Sequence, residues 1–158
     1  MKKPVRTYLV SILLALLVGG LSALLTRGGV GLYETIVRPP LSPPSWVFGA
    51  VWTVLFILMG VSSADVYLKK ERHPDTAATA LAVYALSLAV NFSWSIFFFN
   101  GRLFFFSFLW LLLLLATVIL TILLYRRISP IAAYLQIPYA LWVGFAGYLT
   151  LAIAILNK

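Results

Sequence analysis

The chain has 158 residues, of which 63% are hydrophobic and 10% are charged, and its formal net charge is +8. A water-soluble domain of this length could not bury so much apolar surface, which excludes a soluble globular protein. The sequence contains no cysteine, which excludes disulfides and thiolate ligands, and its one histidine, His73, lies in a predicted loop. We therefore expect an integral membrane protein with no metal site and no resident cofactor.

Five segments are long and apolar enough to cross a bilayer, which requires roughly 20 residues per helix. They predict an all-α bundle of transmembrane helices that forms one membrane domain over residues 1–158. The predicted helices cover residues 7–26, 46–68, 77–99, 103–125 and 130–156, and an outward loop covers 27–45. The first helix follows basic residues, as a signal peptide would. Its apolar run is longer than usual for a signal and no clear cleavage site follows, so we expect it to be retained.

The positive charges predict the orientation of this bundle and do not indicate nucleic-acid binding. The N-terminal side carries eight Lys and Arg residues: Lys2, Lys3, Arg6, Lys69, Lys70, Arg72, Arg126 and Arg127. The opposite side carries four: Arg27, Arg38, Arg102 and Lys158. The positive-inside rule then places the N-terminus in the cytoplasm and the long loop and the C-terminus outside. Because helical bundles are usual for the inner membrane and barrels for the outer membrane, we expect a bacterial plasma membrane.

The long first loop is flexible at its start and rigid at its end. Three glycines, Gly28, Gly29 and Gly31, give the start conformational freedom, and four prolines between Pro39 and Pro44 stiffen the end. This pattern predicts a hinged lid at the mouth of the bundle. Trp46 follows the last proline after one residue, Ser45, and it is either part of a site at this mouth or an interfacial anchor.

The first two predicted helices carry one small-residue pattern and one aromatic pattern. In the first helix, Ala15, Gly19 and Ala23 recur every four residues and predict a close helix–helix contact. In the second, an aromatic stripe is either a packed face or a ligand wall: Phe48, Trp52, Phe56, Met59 and Ser63. Asp65 near the end of this helix is a functional candidate because acids are rare within membranes, but Lys69 is close enough to pair with it.

The third predicted helix has two contrasting faces. Ala82, Ala85, Ala89 and Ser93 form a smooth face that suits close contact within the bundle or between two copies. The opposite face is aromatic with one amide: Tyr84, Ser87, Asn91, Trp94 and Phe98. Asn91 is expensive to leave unpaired in hydrocarbon, so it must meet another helix or a ligand.

The fourth predicted helix is mainly lipid-facing, whereas the fifth carries a second aromatic wall. Tyr139, Trp142, Ala146 and Leu149 follow one face of the fifth helix, and the small Ala146 leaves room beside the indole. Such a wall would hold a flat apolar ligand. Packing against another helix is the competing interpretation.

The chain resembles the translocator protein family, also called tryptophan-rich sensory proteins or peripheral-type benzodiazepine receptors. Three motifs carry the resemblance over nearly the whole chain: Pro43–Trp46 with Trp52 and Met59-Gly60, Asn91–Trp94 with Phe98-Phe99 and Arg102, and Pro138–Trp142 with Phe145-Ala146. The chain departs from the family at Leu41, where tryptophan is frequent, and at Ser95 and Ile96, where animal members have prolines. It also lacks the tyrosine of the animal cholesterol-recognition motif after Leu149.

The resemblance implies a five-helix bundle, usually a homodimer, with a pocket under the first loop. Family members bind porphyrins such as protoporphyrin IX, and benzodiazepine- and isoquinoline-type ligands. By motif match, Trp52, Asn91, Trp142 and Ala146 take the family's pocket positions, and Tyr33 and Trp46 lie near its mouth. Together with the aromatic faces, the predicted ligand-binding set is Tyr33, Trp46, Trp52, Phe56, Asn91, Trp94, Phe98, Tyr139, Trp142 and Ala146.

These observations support three functional hypotheses. In the first, the protein is a receptor or sensor that stacks a porphyrin between Trp52 and Trp142, with Arg27, Arg38 and Arg102 receiving its propionates. In the second, the porphyrin is degraded with light and oxygen, and Trp52 and Trp142 take part in catalysis, since no conventional catalytic group is present. In the third, the protein is a transporter, for which Asp65 is the one candidate membrane carboxylate.

Overall fold

A computed structural model describes residues 3–158, and within this range the chain forms only helices and turns. The helices are α1 (Lys3–Thr26), α2 (Leu32–Thr35), α3 (Ser45–Leu68), α4 (Pro74–Ser95), α5 (Phe104–Arg126) and α6 (Pro130–Leu156). All except the short α2 are long and apolar enough to cross a membrane, which confirms the predicted all-α bundle of five spanning helices. Lys2, one of the residues behind the predicted orientation, lies outside the described residues.

The helix starts follow from local sequence. Proline opens both α4 and α6, at the first helical position, where an N–H would have no partner in the helix. The Ser129 side chain also caps α6 by accepting a hydrogen bond from the Ala132 N–H at 3.4 Å. The start of α3 follows Pro44 directly. Within the predicted loop, the chain forms a 3₁₀ turn at Arg27–Gly29 as well as α2.

The spanning helices are neighbours in the order α1, α3, α6, α5, α4, and α4 closes the ring by packing on α1. The aromatic face of α4, from Tyr84 to Phe98, is buried towards the centre of this ring. The smooth face is on the outside, with Ala82, Ala85 and Ala89 exposed. Ser93, at one end of this face, accepts a hydrogen bond from Trp110 Nε1 on α5 at 2.9 Å, whereas the three alanines are open to contact with another copy.

At the end of the bundle opposite the long loop, polar side chains connect α3 to α6. Lys69 Nζ donates to Asp65 Oδ2 at 2.8 Å and to Ser129 Oγ at 2.9 Å. One turn deeper, Ser62 Oγ donates to the Ala132 carbonyl at 2.7 Å and accepts from Gln136 Nε2 at 3.2 Å. Asp65 is thus an ion-pair partner in a network that joins two helices.

Candidate ligand-binding site

A cavity of about 470 Å³ lies in the half of the bundle nearer the long loop. Its walls come from α1, α3, α4 and α6, and α5 takes no part. The volume lies in the range of about 300–1,000 Å³ that is usual for small-molecule sites. Because the lining is dominated by apolar and aromatic side chains, the cavity suits an apolar ligand.

Two groups of aromatic rings form opposite walls of the cavity. On α3, the rings of Trp52 and Phe56 are 5.7 Å apart between centroids. On the opposite wall, Trp94 and Phe98 stack at 5.5 Å. Phe98 lies in a π-helical turn, Ile96–Asn100, that follows α4. A π turn adds a residue to the helical repeat, which rotates the following side chains and is frequent at functional sites.

Asn91 supplies an amide to the otherwise apolar centre of the site. Its Nδ2 donates to the Tyr139 hydroxyl at 2.7 Å, which fixes the amide between α4 and α6. Its side chain lines the cavity, and within residues 3–158 its Oδ1 has no hydrogen-bond partner. Because the side chain faces the cavity, this oxygen is available to a ligand that carries a donor. Both interpretations of Asn91, helix contact and ligand contact, are compatible with this geometry.

Two serines add a polar patch between α1 and α4. The Ser22 and Ser95 hydroxyls are hydrogen-bonded to each other, and both residues are buried and line the cavity. Ser95 Oγ also donates to the Phe92 carbonyl at 3.0 Å. The two hydroxyls therefore satisfy each other's hydrogen bonding. They also form a second polar group in the cavity wall, with Ser95 one helical turn from Asn91 on α4.

The long loop closes the end of the bundle over the cavity. Tyr33 lines the cavity from above, and its hydroxyl donates to the Pro43 carbonyl at 2.8 Å. The loop is also tied to the end of α6. There, the Asn157 side chain accepts from the Val37 N–H and donates to the Val37 carbonyl, both at 2.9 Å. The Tyr148 hydroxyl donates to the Pro40 carbonyl at 2.9 Å. This set of bonds makes the loop a closed lid.

The sequence matches the model of the TspO/MBR family over residues 11–156. The chain belongs to the TspO/MBR family. It is 35% identical to "Tryptophan-rich protein TspO" of Chlorobaculum tepidum over 99% of both chains. It is also 35% identical to "Translocator protein" of Bos taurus, over 87% of this chain and 82% of that protein. "Protein CrtK" of Rhodobacter capsulatus is 33% identical, over 79% of this chain and 78% of that protein.

In this TspO/MBR-family chain, most of the predicted ligand-binding residues meet at one cavity. Its lining includes Tyr33, Trp46, Trp52, Phe56, Asn91, Trp94, Phe98 and Ala146. Tyr139 lies behind this wall, fully buried, where it holds Asn91 and contacts the Trp52 ring edge-on at 6.0 Å. Tyr139 therefore positions two lining residues without lining the cavity.

The structure places Trp142 away from the cavity. Its indole lies in a separate apolar groove on the outer surface between α3 and α6, beside Val51, Pro138 and Phe145. It reaches the cavity only indirectly, through an edge contact with Phe48 at 5.9 Å. Trp52 and Trp142 therefore do not face each other across one cavity, and a ligand cannot stack on both in this conformation.

The three predicted arginines are exposed at the loop end of the bundle, and none of them lines the cavity. Arg38 lies over the Tyr33 ring, with its guanidinium carbon 5.3 Å from the ring centroid, and is 3.9 Å from Glu34. Arg102 has a backbone φ of 53°, in the left-handed region. Arg38 is thus stacked on a residue that lines the cavity.

Most of the non-aromatic residues that line the cavity on α1 and α6 were not predicted from the sequence. On α6, Thr150 and Ile153 line the cavity together with Ala146 and Leu149, which belong to the predicted face. On α1, Leu16, Gly19, Gly20 and Ala23 do the same. Both sets follow the i, i+3, i+4, i+7 spacing of one helix face, which is the signal that could have identified them.

Proposed function

We propose that this protein is a membrane receptor that binds porphyrins and other flat aromatic molecules in the cavity under its long loop. The observation that carries the proposal is the pair of aromatic walls, Trp52 with Phe56 and Trp94 with Phe98, on either side of one 470 Å³ cavity. Aromatic walls bury a flat ring system efficiently, because offset and edge contacts add to the area buried. Membership of the TspO/MBR family supports the same ligand class.

The polar groups suggest how such a ligand is oriented. Asn91 offers an unpaired acceptor within the wall, and Arg38 stands next to Tyr33 at the lid. A porphyrin would place its apolar rings between the walls and its propionates towards the cationic loop end. Because Arg27, Arg38 and Arg102 are exposed, the propionate contacts are expected to be weak and sensitive to salt. We place the loop end outside the cell, as the positive-inside rule predicts, and we propose that the exposed smooth face of α4 pairs two copies in a homodimer.

Two tryptophans provide a matched test of this site. Trp52→Phe and Trp142→Phe each exchange an indole for a phenyl ring, but only Trp52 lines the cavity. Titration of the purified protein with protoporphyrin IX in the dark should give saturable binding that Trp52→Phe weakens and Trp142→Phe leaves nearly unchanged. Equal weakening by both would contradict the site as described. Absence of saturable binding to the unmodified protein would refute the proposed function.

Light-dependent degradation of the bound porphyrin is a second candidate function. The observation in its favour is that oxidisable indoles, Trp52 and Trp94, line the cavity. The chemistry would come from the excited porphyrin and oxygen, because the cavity lining given by residues 3–158 includes no Asp, Glu, His, Lys or Arg side chain. Illumination should then form product that disappears with Trp52→Phe. Equal bleaching of free porphyrin in detergent would exclude a role for the protein.

A further inference from the structure

We propose that ligands reach the cavity sideways from the bilayer, through a slot between α1 and α3, and not through the loop end. The slot is defined by Gly20 and Ala23 on α1 and by Gly49 and Thr53 on α3. The inference rests on the proposed function, and it restricts the ligands of this site to molecules that dissolve in the membrane. It also makes the bilayer the compartment whose ligand concentration the protein responds to.

The residues of the slot belong to the cavity wall and to the outer surface at the same time. All four line the cavity, and all four are exposed. At Gly20 and Gly49, a Cβ atom would find no neighbour within 4 Å. In a spanning bundle, an exposed residue between two helices faces lipid. The cavity is therefore open to the membrane where these four small or short side chains meet.

Below the slot, the same two helices are in tight contact. A Cβ on Gly60 would lie 2.5 Å from Ile12 Cα, so the α3 and α1 backbones touch there. A Cβ on Gly19 would overlap the Phe56 ring. Gly19 and Gly20 are adjacent, yet one is packed and the other is open. The α1 and α3 backbones thus touch at Gly60, Phe56 packs on Gly19 at the lower edge of the slot, and the space is open at Gly20 and Gly49.

The position of the slot along the helices puts it inside the hydrocarbon region. Gly20 is six residues from the end of α1 at Thr26, which is about 9 Å at 1.5 Å per residue. Thr53 is eight residues from the start of α3 at Ser45, which is about 12 Å. Trp46, which is 72% exposed, borders the cavity at the loop end of this opening. A flat apolar molecule lying among the lipid tails can therefore reach the aromatic walls without crossing water.

The loop end offers no comparable passage. The lid is held by the Tyr33 bond to Pro43, the Tyr148 bond to Pro40 and the two Asn157 bonds to Val37. Gly29 packs against the π-helical turn, where a Cβ would lie 2.7 Å from the Phe99 carbonyl oxygen. Passage from water would require these contacts to break, whereas at Gly20 and Gly49 in the slot no neighbouring group lies within 4 Å of the Cβ position.

The test uses reversible blocking of the slot in protein held in lipid nanodiscs. Because the chain contains no cysteine, Gly20→Cys can be labelled alone with a bulky biotinyl methanethiosulfonate and cleared with a reductant. Gly144→Cys is the matched control, since Gly144 is an exposed helical glycine with open space around it that does not line the cavity. Stopped-flow quenching of tryptophan fluorescence by protoporphyrin IX gives the association and dissociation rate constants.

We expect the label at position 20 to lower both rate constants by about tenfold or more, with Kd nearly unchanged, and the reductant to restore them. The label at position 144 should leave both rate constants unchanged. Saturable binding with rates indifferent to the label at position 20 would overturn the slot while leaving the proposed function intact. A lower affinity with an unchanged dissociation rate would also overturn it, because the label would then block the site and not the passage. No saturable binding to the unlabelled protein would refute the proposed function itself.

Discussion

The substitution Gly60→Ala, which adds one methyl group, tests how closely α1 and α3 pack. In Gly60→Ala, the new Cβ would lie 2.5 Å from Ile12 Cα and 2.8 Å from its backbone nitrogen. Carbon atoms are comfortable at about 3.5 Å, so α1 must retreat by about 1 Å. Backbone atoms cannot rotate away, so we expect an overpacking penalty of about 1–3 kcal/mol. The higher helix propensity of alanine offsets up to about 1 kcal/mol of this penalty.

Gly144→Ala separates the two effects, since it has the same propensity gain and its Cβ meets nothing within 4 Å. The free energy of unfolding of both variants would be measured by SDS titration in mixed micelles. Because the propensity gain is common to both, Gly60→Ala should be less stable than Gly144→Ala by about 1–3 kcal/mol. Equal stability of the two variants would refute the close approach of α1 and α3, and with it the pinned base of the slot.

Three further predictions address the supports of the site. Tyr139→Phe leaves the Asn91 amide without its hydroxyl partner, so we expect a loss of about 1–3 kcal/mol in unfolding free energy. We also expect weaker porphyrin binding, although Tyr139 does not line the cavity. Unchanged binding and stability would contradict the supporting role of Tyr139. Asn157→Ala removes both hydrogen bonds to Val37, so limited proteolysis of the loop should accelerate by about fivefold or more, and an unchanged cleavage rate would argue against the tie. Ser129→Ala removes the cap of α6 and a partner of Lys69, and it should lower the unfolding free energy by about 1 kcal/mol. Thr79→Ala provides the comparison outside this network, because Thr79 is exposed on α4 and its hydroxyl bonds the Asp75 carbonyl of its own helix.

The helices and the inward face of α4 could be predicted because each depends on local pattern. A run of about 20 apolar residues must become a helix in lipid, since its backbone has no other hydrogen-bond partners. On α4, the helical repeat separates alanines from aromatic residues, and Asn91 cannot be left facing lipid. The buried face from Tyr84 to Phe98 is the one that carries the amide. Local chemistry was therefore sufficient to predict that this face of α4 turns towards the centre of the bundle.

The α6 wall shows the limit of this reasoning. Tyr139, Trp142 and Ala146 share one helical face, and the sequence assigned all three to a ligand wall. In the structure, α3 passes across this face, so that Ala146 meets the cavity, Tyr139 is sealed behind Asn91 and Trp142 reaches the outer groove. Periodicity determines the direction of a side chain, but the crossing of a neighbouring helix determines what it meets. The lid contacts could not be predicted from local pattern either, because the bond between Asn157 and Val37 joins residues 120 positions apart.

The most direct test of the account fills the cavity from its own wall. Ala146 lines the cavity on α6, and Gly144 lies on the exposed side of the same helix. In Ala146→Phe, the added ring should occupy the space between the aromatic walls, whereas in Gly144→Phe it should point away from the cavity. Titration with protoporphyrin IX in the dark should show no saturable binding to Ala146→Phe and unchanged binding to Gly144→Phe. Undiminished binding to a folded Ala146→Phe protein would mean that the ligand is held elsewhere.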